Sequence, residues 1–173
     1  MSSILNKLLG GDLRSIGNAE EVISEILNDP SLFDEVFYGM KDQNPLIRMR
    51  SADVAEKVSR LHPNYLIPHK EELIYKISEN EQQEVRWHVA LMFTYLRLSD
   101  EEKSEVVRKL INWIENSKSK IVIANSLEAL THIANEDEKY MAEAIKILEK
   151  SVETGSPAVA ARARKLMKLI TKN

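Results

Sequence analysis

Two series of apolar residues recur along this chain at an interval of 37 or 38 positions. Ile47, Val85, Val122 and Val159 form one series, and Met40, Ile77, Ile114 and Val152 form the other, each of these seven or eight residues ahead of its counterpart. A period of that length is the signature of a stacked helical repeat, in which one supersecondary unit recurs and cannot bury its own apolar face alone. Because the two series keep the same beat, each unit reads as a pair of helices joined by a short hairpin loop.

The clearest unit is Asn44-Pro45-Leu46-Ile47-Arg48-Met49-Arg50-Ser51-Ala52-Asp53-Val54-Ala55. Asn44 suits an N-cap and Pro45 the first helical position, while Ile47, Val54, Ala55 and Val58 fall on one helical face. Helix starts are predicted near Asp29, Asn44, Pro68, Ser99, Asn135 and Ser156. Ser99-Asp100-Glu101-Glu102 has the spacing of a capping box, and Asn18-Ala19-Glu20-Glu21 resembles one, while Asn135-Glu136-Asp137-Glu138 starts the fourth pair. Before the repeats, Ile4, Leu5, Leu8 and Leu9 suggest a short amphipathic helix stopped at Gly10-Gly11. Val22, Ile23, Ile26 and Leu27 mark a second, so residues 1–28 are expected to cap the first repeat. The predicted architecture is an all-α, right-handed α-solenoid of about four helix pairs. It forms one domain over residues 1–173, with the cap at 1–28 and the repeats at 29–173. Ile47, Ala55, Val85, Val89, Phe93, Ile114, Leu130 and Val159 are its expected core, and Trp113 joins them.

Composition narrows the function. A net charge of −3 and 29% charged residues are ordinary for a soluble chain. No cysteine is present, so disulfides, thiolate-ligated zinc and a cysteine nucleophile are excluded. No apolar run has the roughly 18 residues that crossing a bilayer needs, and Met1-Ser2-Ser3-Ile4-Leu5 lacks a signal-peptide pattern. The expected compartment is the cytoplasm, with no membrane partner. There is no Gly-rich phosphate loop and no Gly-x-Ser-x-Gly elbow. His62, His69, His88 and His132 match no metal spacing, and Glu84 with His88 reads as an exposed pair on one helix face. No cofactor, metal or catalytic residue is therefore expected. The basic C-terminal stretch from Ser156 complements a helix C-terminus.

Asn-Pro-x-Ile-Arg-x-x-x-Ala at the turn into the second helix of a 37-residue pair resembles the HEAT repeat. Gln83-Glu84-Val85-Arg86-Trp87-His88-Val89-Ala90 is similar to a segment of small prokaryotic HEAT-repeat proteins without an assigned activity. The resemblance covers residues 30–171, and the third and fourth repeats depart from it with Ile123 and Ala160 in place of the Arg. It implies a non-enzymatic scaffold that grips another protein along its second helices. The alternative is a nucleic-acid-binding protein, akin to helical-repeat enzymes that excise alkylated bases from DNA. That reading ranks second because it needs a basic surface and a catalytic acid beside aromatic residues. Asp53 is the one candidate acid, and no Trp flanks it in sequence.

The expected partner-binding residues are Arg48, Arg50, Arg86, Trp87 and Arg97. Arg48 and Arg86 hold the same repeat position, so a row of guanidinium groups about 10 Å apart would suit an acidic segment. The competing expectation is that these heads bond Asp42, Glu81 or nearby loop carbonyls. The pattern says nothing of oligomeric state.

Overall fold

The computed structural model describes residues 3–11 and 15–170. Met1 and Ser2, positions 12–14 of the expected cap and the last three residues of the fourth repeat lie outside them. Among the described residues the chain is all helical, without strands. No described helix is long and apolar enough to cross a membrane. The chain divides into two compact units, Met1–Leu96 and Arg97–Asn173.

In the first unit α1 (Ser3–Asn6) and α2 (Ala19–Asn28) precede α3 (Phe33–Gly39), α4 (Pro45–Leu61), α5 (Lys70–Tyr75) and α6 (Gln83–Met92). The start of α4 follows from its sequence: Asn44 Oδ1 accepts the Leu46 N–H at 2.9 Å, and Pro45 takes a position whose N–H has no helical partner. α2, α3 and α6 all pack against α4. That placement explains why α4 is buried on more than its apolar stripe, with Arg50, Ser51, Glu56 and Ser59 inside beside Ile47, Val54, Ala55 and Val58.

Two expected features of this unit are replaced by others. Asn18 makes no side-chain capping bond, and Glu21 instead takes the Lys7 ammonium at 2.8 Å, pinning α2 to the residues after α1. The helix expected from Pro68 is broken into a 3-10 turn over Pro63–His69, the short α5 and a second 3-10 turn at Ile77–Glu79. Pro63 and Pro68 bring no N–H to an α-helical ladder, so the chain tightens there.

The second unit contains α7 (Asp100–Asn116), α8 (Lys120–Glu136), α9 (Met141–Thr154) and α10 (Pro157–Ile170). α7 opens on the predicted capping box: Glu102 N–H donates to Ser99 Oγ at 3.2 Å and Ser99 N–H to Glu102 Oε2 at 2.7 Å. The helix start expected near Asn135 falls later, because α8 continues through Glu136. Asp137 caps the following 3-10 turn instead, accepting from Lys139 N–H at 3.2 Å. α7 packs on α8, α8 on α9 and on α10, and α9 on α10. Trp113, Leu130 and Val159 are buried between them, whereas Ile114 is half-buried and lines a cavity with Ile123 and Ile147.

The hairpin turns repeat their chemistry as well as their spacing. Asp42 Oδ1 accepts the Asn44 N–H at 2.8 Å, Asn80 Oδ1 the Gln82 N–H at 2.9 Å, and Ser117 Oγ the Ser119 N–H at 3.1 Å. These three acceptors stand 38 and 37 residues apart. Each supplies the local side-chain bond that ends one helix and re-aims the chain into the next.

Candidate functional site

Arg50 was expected on a partner-binding surface and is instead 1% exposed. Its Nε donates to the Ser15 carbonyl at 3.0 Å and its Nη1 to the Leu8 carbonyl at 2.5 Å. The reason is rotational. Two residues beyond Arg48 a helix has turned about 200°, and on α4 that side also meets packed chain. The N-terminal segment folds around the guanidinium so closely that a Cβ on Gly17 would sit 2.9 Å from Arg50 Nη1. Gly17, at φ +55°, meets both needs: left-handed backbone and no side chain.

Arg48 and Arg86 lie half-buried and bond the turns that precede their helices. Arg48 Nη1 donates to the Asp42 and Gln43 carbonyls at 2.9 and 3.0 Å, and its Nε to Gln82 Oε1 at 2.7 Å. Gln82 completes the brace by donating from Nε2 to the Pro45 carbonyl at 2.9 Å. Arg86 Nε donates to the Asn80 carbonyl at 2.7 Å, six residues back, as Arg48 does to Asp42. Loop carbonyls, one of the two alternatives open from the sequence, are thus what these guanidinium groups hold. Arg97 is exposed and belongs to the second unit.

Trp87 is half-buried and helps line a pocket of about 150 Å³ with Asp53, His88, Met49, Arg50, Ile16 and Ser15. The sequence separates Asp53 from Trp87 by 34 positions; the packing of α6 on α4 brings them to one cavity. His88 does not form the exposed pair with Glu84. Its ring lies against α4, with Nε2 3.8 Å from Asp53 Oδ1 and Nδ1 4.0 Å from Glu56 Oε2. Both distances exceed a hydrogen bond, and Nδ1 is buried with no hydrogen-bond partner. Burial pushes the His88 pKa down to about 4; Asp53 opposes that shift, and Lys57 and Arg60 add to it. The imidazole is therefore neutral near pH 7, and its contacts with the two carboxylates are not ion pairs.

The carboxylates have other partners. Asp53 Oδ2 takes the Lys57 ammonium at 2.9 Å. Glu56, only 4% exposed, accepts the Tyr95 hydroxyl at 2.6 Å and lies 3.7 Å from Arg60 Nε. A neutral imidazole in a pocket walled by Trp87 offers a donor and an acceptor, with Asp53 as a further acceptor. Among the described residues no group of three ligating side chains converges as a metal site. The period predicted α4 and α6 as neighbours. Asp53 and Glu56 of α4 were missed as neighbours of His88 and of Tyr95, which lies in the 3-10 turn after α6, because only the packing of that stretch on α4 joins them. Compared with known proteins, this chain matches no family model, no curated protein and no solved structure.

Proposed function

We propose that this chain is a non-enzymatic protein-binding scaffold built from stacked helix pairs of the HEAT type, acting in the cytoplasm. The observation that carries the reading is the Arg48–Gln82–Pro45 brace, which ties the turn entering α4 to the turn entering α6. Bonds between equivalent turns hold successive pairs in fixed register, and a pre-organised surface binds without first losing its freedom. With Arg48, Arg50 and Arg86 bonded within the fold, the gripping feature of the first unit is the Trp87 pocket rather than a row of free guanidinium groups. Arg97, exposed at the surface of the second unit, is the expected contact for an acidic partner segment.

The test is affinity capture from cells in which the protein is native, followed by titration of the purified partner. Trp87→Ala is expected to weaken that partner roughly thirtyfold, as loss of an interface anchor does. A partner bound equally by wild type, Trp87→Ala and Arg97→Glu would refute the assignment of the surface.

One observation favours the nucleic-acid alternative: Asp53 and Trp87 share a cavity. Against it, Asp53 is ion-paired to Lys57. Residues 1–96 also hold ten basic and fifteen acidic side chains, a balance of −5 that repels phosphates. Salt-sensitive binding of a labelled duplex by the purified chain would reverse that ranking.

A further inference from the structure

The outer flank of the α9–α10 hairpin carries an apolar strip edged by charges of opposite sign. The inner side of α9 sets Ala144 and Leu148 into the core, and α10 does the same with Ala163 and Leu166. Towards the rest of the unit, Ile147 shares a cavity with Ile114 of α7, and Arg162 Nη2 reaches Glu128 of α8 at 3.0 Å. Five residues along a helix is about 140° of rotation, so Val152 and Met167 stand on the flank away from those contacts. Both are half-buried, and a cavity of about 420 Å³ opens between them.

The rim of this cavity is sorted by charge. Glu149 and Glu153 come from α9, Arg164 and Lys168 from α10, and all four are exposed. None has a hydrogen bond or ion pair among the described residues, although α9 and α10 offer both signs.

We propose that a second copy of this chain docks on this flank, about a two-fold axis parallel to α9 and α10. That axis lays the α9 of each copy against the α10 of the other, so each acidic edge meets a basic edge. An axis across the helices would put acid on acid and base on base, and the charges therefore select one of the two symmetric solutions. Val152 and Met167 lie near the axis and meet their own copies. Two helices about 21 Å long and together roughly 20 Å wide offer on the order of 400 Å² per copy. That is about half the area of a standard stable interface, so the dimer is weak, concentration-dependent and loosened by salt.

Sedimentation equilibrium of the full chain over a wide concentration range tests this. Wild type is expected to pass from monomer to dimer. Glu149→Lys with Glu153→Lys, and separately Arg164→Glu with Lys168→Glu, should each give a monomer whose circular dichroism is unchanged. An equimolar mixture of the two variants should dimerise again, since every edge then faces its opposite. A wild type that stays monomeric at the highest soluble concentration overturns the proposal. So does a dimer that survives both charge reversals, or a mixture that fails to reassociate. Because the chain has no cysteine, Val152→Cys provides an independent check. A short bis-maleimide should join two copies through that thiol, and its failure to do so under dimerising conditions also overturns the arrangement.

Discussion

Arg48 and Gln82 are 34 residues apart in sequence, and Arg48 Nε stands 2.7 Å from Gln82 Oε1. Similar separations recur in other cross-links: Asp34 with His69 at 35 residues, Glu56 with Tyr95 at 39, Lys103 with Asp137 at 34 and Ser104 with Tyr140 at 36. Polar bonds between elements thus keep nearly the period of the apolar series. Within each unit, these bonds join stretches about one period apart in sequence.

Removing the brace should cost stability. Arg48→Ala deletes bonds to two turn carbonyls and to Gln82, with an expected loss of about 2 kcal/mol in a urea titration. Arg48→Lys should recover less than half of it, because an ammonium cannot span acceptors in three directions as the guanidinium fork does. Combined with Gln82→Ala, Arg48→Ala should be less than additive by at least about 0.5 kcal/mol. Full additivity would mean that the two side chains do not hold the turns together.

Arg50 is expected to behave as a fold residue. Arg50→Met keeps most of the volume but leaves the Ser15 and Leu8 carbonyls without their donor, at a cost of roughly 2–4 kcal/mol. Gly17→Ala should also destabilise, by about 1–3 kcal/mol, since it puts a Cβ against the guanidinium on a left-handed backbone. Hydrogen exchange reads both, and the α2 amides should lose protection in each variant. An Arg50→Met protein with unaltered stability would contradict the inward assignment.

Two caps and most of the core were legible where local chemistry decides the structure. Asn44 and Ser99 cap their helices because a short polar side chain beside free N–H groups has one good use. Asn18–Glu21 has similar spacing and does otherwise: Glu21 pairs with Lys7, 14 residues earlier in the chain. Arg48 and Arg50 look alike in sequence, and only the packing of α2, α3 and α6 around α4 makes one a brace and the other a buried post. The His88 cluster was illegible for the same reason. Glu84 is its helical neighbour, but the ring lies against α4, and sequence spacing cannot report the rotation of one helix on another.

Tyr95→Phe isolates the buried carboxyl. The substitution changes one hydroxyl and leaves Glu56 without the 2.6 Å bond it accepts from that oxygen. An orphaned buried acceptor costs about 1–3 kcal/mol, more than the near-neutral effect expected of an exposed tyrosine. Glu56→Gln should offset part of the loss in the Tyr95→Phe background, since a neutral amide is cheaper to bury. If Tyr95→Phe is neutral in denaturant titration, water rather than the phenol supports Glu56.

The last prediction concerns acid and His88. Folded His88 takes a proton only near pH 4, against an ordinary value of 6.5, because burial disfavours the imidazolium. Between those limits the unfolded chain holds more protons than the folded one, so acid favours unfolding. The contribution of His88 to stability is fully present above pH 6.5, falls as the pH drops, and is gone below about pH 4. Its size is up to about 3 kcal/mol at the conversion of 1.36 kcal/mol per pKa unit. The groups around the ring are Asp53, Glu56, Lys57 and Arg60 of α4, and the two cations reinforce the shift. Three ion-paired carboxyls act in a lower window. Lys7, Arg108 and Lys103 hold the pKa values of Glu21, Glu105 and Asp137 below their ordinary 4.5, 4.5 and 3.8, so the stability from those pairs is lost only at lower pH. Stability measured between pH 7 and 5 should therefore fall more steeply in wild type than in His88→Gln, whose amide does not titrate there. Proton NMR of the His88 ring should give a midpoint near 4 in the folded protein. A midpoint near 6.5, or parallel pH profiles for the two proteins, would show that the ring is solvated rather than buried against α4.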